Sequence, residues 1–313
     1  MRAIETDYLV VGAGASGMAF IDALLANSDA TVVLVDRRHR PGGHWNDAYP
    51  FVRLHQPSAT YGVDSRTLGA DRIDDAGPNA GFYERATAAE IVEHFAEALD
   101  DFVASGRLEF LGMSDYRGED ADGHRVVSLL TGAETTVRVR RKFVDATYTE
   151  SSIPSRHTPA FAVDADVRFI PPNDLVDLDE PAAGFTIIGG GKTSMDAICW
   201  LIDEGVDPDK IEWIRPRDPW VFNRAAFQPL ELVGSYMHLQ ACWVEAAAAA
   251  EDGHDFARRL EGPVLSRIDP TVEPTVFRGP TVSELELDTL RSIERVVRDR
   301  VQHLKAKPGQ VFV

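Results

Sequence analysis

The chain has 313 residues, enough for two domains of roughly 150 residues, each with its own core. Its 50 acidic residues against 32 Lys and Arg give a net charge of −18, which argues against nucleic acid or an anionic membrane surface as partner. Cys199 and Cys242 are the two cysteines. Isolated thiols make no disulfide framework and fit a reducing, cytoplasmic setting.

The opening residues carry the strongest signal. Tyr8-Leu9-Val10-Val11 run into Gly12-Ala13-Gly14-Ala15-Ser16-Gly17, and Met18 onward continues with helical spacing. A buried strand, a G-x-G-x-x-G turn and a helix start form the dinucleotide fingerprint. Gly12 permits the turn, Gly14 lets backbone approach a pyrophosphate, and Gly17 lets helix pack on strand. Thr31 to Val35 read as a second strand ending at Asp36, 24 positions after Gly12 and placed to accept ribose hydroxyls. A strand this early leaves no room for a signal peptide. The uncharged run Tyr8 to Ile21 has 14 residues, short of the roughly 20 a membrane helix needs.

Arg37 to Asn46, with Pro41, Gly42 and Gly43, read as a loop whose backbone can approach a ligand. Tyr49 to Pro57 read as a short strand or a pocket wall. Residues 64–82 read as loop, and Thr87 to Val103 as a helix with an apolar stripe of Ile91, Phe95, Leu99 and Phe102. Leu108 to Leu111 is a strand. Val126 to Leu130 and Thr136 to Val139 form a hairpin across Thr131-Gly132. Phe143 to Thr147 is a further strand, ending near the polar run Thr149-Glu150-Ser151-Ser152. The proline-bearing stretch 153–174 reads as a domain linker.

A second unit follows with the same logic. Gly184 to Ile188 is an apolar strand, Gly189-Gly190-Gly191 the turn, and Thr193 to Asp203 a helix, with Ser194 where a third glycine would stand. Lys210 to Ile214 is its second strand. It leads into Arg215 and Arg217, guanidinium groups suited to a 2′-phosphate where the first unit offers a carboxylate. Trp220 to Leu230 read as an aromatic-containing loop with Asn223, Arg224 and Gln228. Glu231 to Ala250 read as a long helix whose Met237, Leu239, Cys242 and Trp243 are core. Val282 to Leu304 read as the last helix, started by a capping box of Ser283 and Glu286. The expected fold class is α/β, with two Rossmann-like dinucleotide-binding domains built on three-layer doubly wound parallel sheets. The expected boundary puts a first domain at 1–172 and a second at 173–313, the latter with a C-terminal helical segment.

No C-x-x-C, metal-ligand spacing, G-x-S-x-G elbow or complete P-loop is present, so no protein nucleophile or metal stands out. A bound cofactor would carry the chemistry.

These motifs resemble the two-dinucleotide-domain flavoproteins, nearest to the flavin-containing monooxygenases. The matching residues are Gly12 to Gly17 with Asp36, Gly42-Gly43-His44-Trp45, Asp145-Ala146-Thr147 and Gly189-Gly190-Gly191, within residues 7–217. The resemblance implies FAD at Gly12, Ala13, Gly14, Ala15, Ser16, Gly17, Asp36, Arg37, Gly43, His44, Trp45 and Thr147, with a backbone contact near Met113. It places Gln56 beside the flavin ring as the active-site polar group. It implies NADPH at Gly189, Gly191, Lys192, Thr193, Ser194, Arg215 and Arg217. The implied activity is NADPH-driven oxygenation of a small-molecule substrate by O2 through a flavin C4a-hydroperoxide. A flavin dehydrogenase or NADPH oxidase, and a shortened non-catalytic nucleotide-binding protein, are the rival readings. Three features depart from the family pattern: the F-x-G-x-x-x-H identifying run is absent, with Ser155-Arg156-His157-Thr158 in its region; Ser194 replaces a glycine; and no return segment to the first domain is recognised before Val313.

Overall fold

A computed structural model describes residues 2–148, 153–156 and 158–313. The polar run at 149–152 and His157 lie outside them. The described chain divides into two compact units: residues 1–48, 61–70 and 88–153, and residues 49–60, 71–87 and 154–313. The division is not a single cut between 172 and 173, because two loops from the first half fold with the second unit.

In the first unit, β1 (Arg2–Val11), α1 (Ala15–Asn27), β2 (Val32–Val35), α2 (Ala88–Ala104) and β3 (Leu108–Leu111) wind one way, followed by β4 (Ser114–Asp120), β5 (Gly123–Ser128) and β6 (Glu134–Asp145). The sheet order is β3-β2-β1-β6-β5-β4. β3, β2, β1 and β6 run parallel, and β6, β5 and β4 antiparallel. β2 is four apolar residues, all buried, as a strand covered on both faces requires. The expected hairpin forms between β5 and β6, and β6 runs on to Asp145, so the expected separate strand at 143–147 is its end. In α2 the expected stripe of Ile91, Phe95, Leu99 and Phe102 is buried. One sheet face packs Leu9, Val33, Val35, Val126 and Val137 together.

The second unit opens with short pieces, β7 (Ala162–Val163) and β8 (Arg168–Phe169), where the linker was expected. Next come β9 (Gly184–Ile188), α3 (Lys192–Asp203), β10 (Ile211–Ile214), β11 (Pro219–Asn223), α4 (Val233–Ala249), α5 (Gly253–Arg259), β12 (Leu265–Arg267) and β13 (Val276–Val282). The chain ends with α6 (Glu284–Arg291), β14 (Val296–Val297), β15 (His303–Leu304) and β16 (Gln310–Phe312). A parallel sheet ordered β14-β10-β9-β16-β8 carries α3 behind β9, and β12-β11-β13 and β15-β7 form two smaller sheets. Its core joins Ile187, Met195, Ile198, Leu201, Trp213 and Val311.

Four expectations are corrected here. The helix expected over 282–304 is only α6, because Val296-Val297, β-branched and beside β10, pair with it in parallel. Trp220 to Asn223 are strand rather than loop, with Trp220 buried. On α4, Leu239 is core but Met237 is 61% exposed, and Cys242 and Trp243 are half-buried. Tyr49 to Pro57 form no strand; one bridge joins Arg53 to Thr87.

Candidate dinucleotide sites

In the first unit the chain leaves β1 with a Gly12 φ of +105°, a conformation open to glycine. A Cβ on Gly12 would lie 3.0 Å from Thr147 Cγ2, so the end of β6 sits against the turn. A Cβ on Gly17 would lie 2.0 Å from the Gly12 carbonyl oxygen, which makes glycine obligatory where α1 crosses the turn. Gly14 differs, since its Cβ would meet only Gly43 Cα, at an ordinary 3.6 Å. Gly14 caps α1 with no side-chain acceptor, leaving the first helical N–H groups free of a side-chain partner. Free N–H groups at a helix N-terminus are an anion cradle. Ala13 is fully buried, Ala15 half-buried and Ser16 exposed.

The carboxylate of Asp36 organises this turn. Its Oδ2 accepts the Ala13 N–H at 2.7 Å and its Oδ1 accepts the Arg38 N–H at 2.7 Å. Each oxygen keeps a lone pair that can accept a ribose hydroxyl. Gly42 and Gly43 have φ of +113° and +55°, and the Gly42 N–H donates to the Ala13 carbonyl at 2.9 Å. The second glycine turn is thereby laid against the first. His44 is exposed, and Trp45 Nε1 donates to Tyr61 Oη at 2.7 Å. Arg37 is largely exposed, 3.7 Å from Asp115. Thr147 is exposed and donates from both its N–H and its hydroxyl to Asp145 Oδ1, which holds that carboxyl below its usual range.

Met113 is different from expectation in one respect. It has a φ of +48°; its N–H donates to the Arg38 carbonyl at 3.0 Å, and its carbonyl accepts the Leu129 N–H at 2.7 Å. Its N–H is thus committed within the fold, and only a second carbonyl lone pair remains for a ligand.

In the second unit Gly189 has a φ of +132° and Gly191 caps α3 without a side-chain acceptor. Nothing lies within 4 Å of the position a Gly191 Cβ would take, so a ligand can reach that backbone. Ser194 is buried, and its hydroxyl donates to the Gly191 carbonyl at 2.7 Å. The serine fits where the first unit tolerates only glycine, because the turn here stands off from the helix. Thr193 is half-buried.

Two residues expected at the NADPH site point elsewhere. Lys192 is buried and paired with Asp196 one turn along α3, whose other oxygen accepts Tyr49 Oη at 2.7 Å. Arg215 is 1% exposed, 2.7 Å from Asp218, with its guanidinium 4.2 Å from the Trp213 ring centroid. Arg217 is exposed and is the guanidinium presented to solvent. Gln56 is exposed, in a loop that folds with the second unit, and its side chain makes no hydrogen bond among the described residues.

A buried polar cluster in the second unit was not foreseen. Arg85 Nη2 lies 3.4 Å from Glu286 Oε1, and Arg224 Nη2 binds Glu286 Oε2. Arg85 Nη1 donates to the Leu54 carbonyl at 3.1 Å. Gln228, fully buried, accepts the Tyr83 N–H at 3.0 Å and donates to the Arg224 carbonyl at 3.1 Å. Burial, with Lys192, Arg85 and Arg224 nearby, pulls His55 down to about 4, and burial pushes the Cys199 thiol up to about 12. The one sequence signal was the Ser283–Glu286 capping box, which gave the carboxylate a local duty and hid its long-range one. A separate groove of about 420 Å³ runs past Arg168, Glu180, Lys307 and Gln310 and contains none of the expected site residues.

Among the described residues, no group of three His, Cys, Asp or Glu could hold a metal, and no helix is long and apolar enough to cross a membrane.

The fold, with a doubly wound first sheet and a second parallel sheet, is similar to that of solved flavin and cyclohexanone monooxygenases. A profile for NAD(P)-binding Rossmann-like domains matches residues 10–64. Uncharacterized proteins of Mycobacterium tuberculosis (strain H37Rv) and Mycobacterium bovis are 45% identical over 300 residues, covering 95% of this chain and 55% of theirs. The chain therefore spans about half the length of the curated relatives it matches. Cyclohexanone monooxygenase from Rhodococcus sp. Phi1 bound to NADP+ superposes with a TM-score of 0.53 at 14% identity, over 100% of this chain and 65% of that one. A flavin monooxygenase mutant from Stenotrophomonas maltophilia gives 0.51 at 19% identity, over 70% and 59%.

Proposed function

We propose that the chain is the dinucleotide-binding part of an FAD- and NADPH-dependent oxidoreductase of the monooxygenase kind, acting with O2 on a small-molecule substrate. The observation that carries this reading is the pair of glycine turns, each leaving a helix N-terminus uncapped and open to a phosphate. The first turn, with Asp36, Gly43, Trp45 and Thr147, fits FAD, since a carboxylate at the ribose favours free hydroxyls and repels a 2′-phosphate. The second, with Gly189, Gly191, Thr193, Ser194 and the exposed Arg217, fits NADPH.

Bound flavin would supply the two-electron chemistry and the reaction with oxygen. The chain's own part is to bind and orient. The N–H groups of α1 and α3 hold phosphates, Asp36 fixes the first turn and takes a ribose, and Arg217 meets the 2′-phosphate. Gln56 offers an exposed amide in the second unit as the candidate active-site polar group.

The test is a visible absorption spectrum of the purified protein loaded with FAD, before and after anaerobic NADPH. Flavin bands that bleach with NADPH support both cofactor assignments, and substrate-dependent O2 uptake then favours monooxygenase over oxidase. Because Arg217 meets the 2′-phosphate while Arg215 is held by Asp218, Arg217→Ala should raise KM for NADPH about tenfold or more and leave NADH unchanged. A protein that takes up no FAD overturns the enzyme reading in favour of a non-catalytic nucleotide-binding role.

A further inference from the structure

Residues 61–66 of the first unit form a loop tied down along its length. The Val63 N–H donates to His94 Nε2 on α2 at 3.1 Å, and the Ser65 N–H donates to Asp22 Oδ2 on α1 at 3.0 Å. Arg66 pairs with Glu97 at 2.9 Å and with Asp101 at 2.6 Å, both on α2. Gly62 has a φ of +110°, and a Cβ on it would lie 2.4 Å from His94 Nε2, so the loop backbone rests directly on the imidazole. The loop begins at Tyr61, whose hydroxyl accepts the Trp45 Nε1–H at 2.7 Å, the two rings edge to face. Trp45 follows the Gly42-Gly43 turn. A Cβ on Gly42 would lie 3.2 Å from Val92 Cγ2, so α2 backs that turn as well as the loop.

The His94 tie depends on protonation. His94 is 4% exposed, and its Nδ1 has no hydrogen-bond partner among the described residues. Nε2 accepts a hydrogen bond, so the ring is neutral and carries its proton on Nδ1. A second proton would go on Nε2, and two N–H donors would then face each other at 3.1 Å. The groups around the ring disfavour that cation. Burial and the Arg66 guanidinium hold His94 below the ordinary value of 6.5. Glu97 and Asp22 oppose them, but their carboxylates already serve Arg66 and the Ser65 N–H. Tyr61, pushed up by burial, stays neutral. The tie is therefore complete above pH 6.5 and is lost as pH falls through the lowered folded value.

We propose that His94 is a positioning residue for the flavin: while neutral it holds the 61–66 loop and, through Tyr61, the Trp45 indole beside the first glycine turn, and protonation lets both go. This rests on the reading that FAD binds that turn. The connection from proton to cofactor runs through His94 and Val63, then Tyr61 and Trp45, then the Gly42 N–H on the Ala13 carbonyl at 2.9 Å. FAD and neutral His94 favour the same loop position, so each strengthens the other.

The experiment measures the FAD dissociation constant by flavin fluorescence at pH 8 and pH 5, and amide exchange of residues 61–66 in the flavin-free chain. His94→Gln offers an amide oxygen in place of Nε2 and does not titrate. On going to pH 5, FAD should weaken in the parent about fivefold or more beyond the change in His94→Gln, the worth of one hydrogen bond. Exchange at 61–66 should match in the two proteins at pH 8 and be about fivefold faster in the parent at pH 5. Tyr61→Phe leaves the His94 tie and cuts the link to Trp45. It should keep the pH-dependent exchange and show the FAD profile of His94→Gln. A purely structural histidine predicts one FAD profile in all three proteins. The proposal is overturned if parent and His94→Gln share that profile, or if it flattens in His44→Gln instead, which would place the titrating group on the glycine turn itself. FAD uptake with equal profiles removes this inference alone, whereas no uptake at either pH removes the flavin reading with it.

Discussion

Gly14 and Gly17 are separated by one turn of α1 and do different work. At Gly17 a methyl group would stand 2.0 Å from a backbone oxygen that cannot move without opening the turn. Overpacking of this kind costs roughly 1–3 kcal/mol or more, so Gly17→Ala should lower Tm and FAD retention together. At Gly14 the methyl group meets only Gly43 Cα at 3.6 Å, and the residue's φ of −79° suits alanine. Gly14→Ala should therefore keep its unfolding midpoint within about 1 kcal/mol of the parent and still lose FAD affinity, because the methyl occupies the pyrophosphate's approach. Paired urea unfolding and FAD titration separate the two. Equal stability loss in both variants would remove the distinction. His55 gives a second prediction at this scale. Its folded pKa of about 4 lies below the ordinary histidine value, so between pH 6.5 and 4 the unfolded chain binds the extra proton. The stability associated with neutral His55 is complete above pH 6.5 and is lost as pH falls through 4, on the order of 3 kcal/mol. His55→Asn should flatten the unfolding free energy across that window relative to the parent, measured by urea titration at several pH values.

Among the elements, α6 shows how local and distant demands meet. Its eight residues are too few to be stable alone, and the Ser283 hydroxyl accepts the Glu286 N–H at 3.2 Å while Glu286 returns to the Ser283 N–H. Ser283→Ala should cost about 1 kcal/mol, up to about 2, in urea unfolding, with the larger value expected because Glu286 is also the anchor for Arg85 and Arg224. The same element marks the limit of sequence reading. Its start was legible because a capping box is a local signal. Its end at Arg291 was not, because Val296-Val297 become strand only through β10, which lies far away in sequence. The glycine turns were likewise legible, since strand, turn and helix follow each other within a dozen residues. Where Arg215 and Lys192 point was not, because their partners Asp218 and Asp196 compete with solvent only once the unit is folded. The stretch at 49–57 alternates polar and apolar residues like a strand but forms none, and its assignment to the second unit rests on tertiary contacts such as Tyr49 with Asp196 and Phe51 stacked 4.9 Å from Trp200.

For the whole molecule, each unit has its own sheet, its own core and its own uncapped glycine turn. Ligands that bind the folded state stabilise what they touch, by RT ln(1 + [L]/Kd), or about 2.7 kcal/mol at a hundredfold excess over Kd. FAD and NADP+ should therefore protect different amides from hydrogen exchange. FAD should slow exchange at residues 12–17 and 36–47, and NADP+ at residues 189–194 and around Arg217. Neither should reproduce the other's pattern when added alone. The comparison needs no turnover, so it stands apart from the question of which substrate is oxidised. If FAD protected the 189–194 turn and left 12–17 unchanged, the assignment of carboxylate and guanidinium units to the two cofactors would be reversed. If NADP+ protected Arg85, Arg224 and their neighbours rather than the Gly191 turn, the buried arginines rather than that turn would be the dinucleotide's contacts.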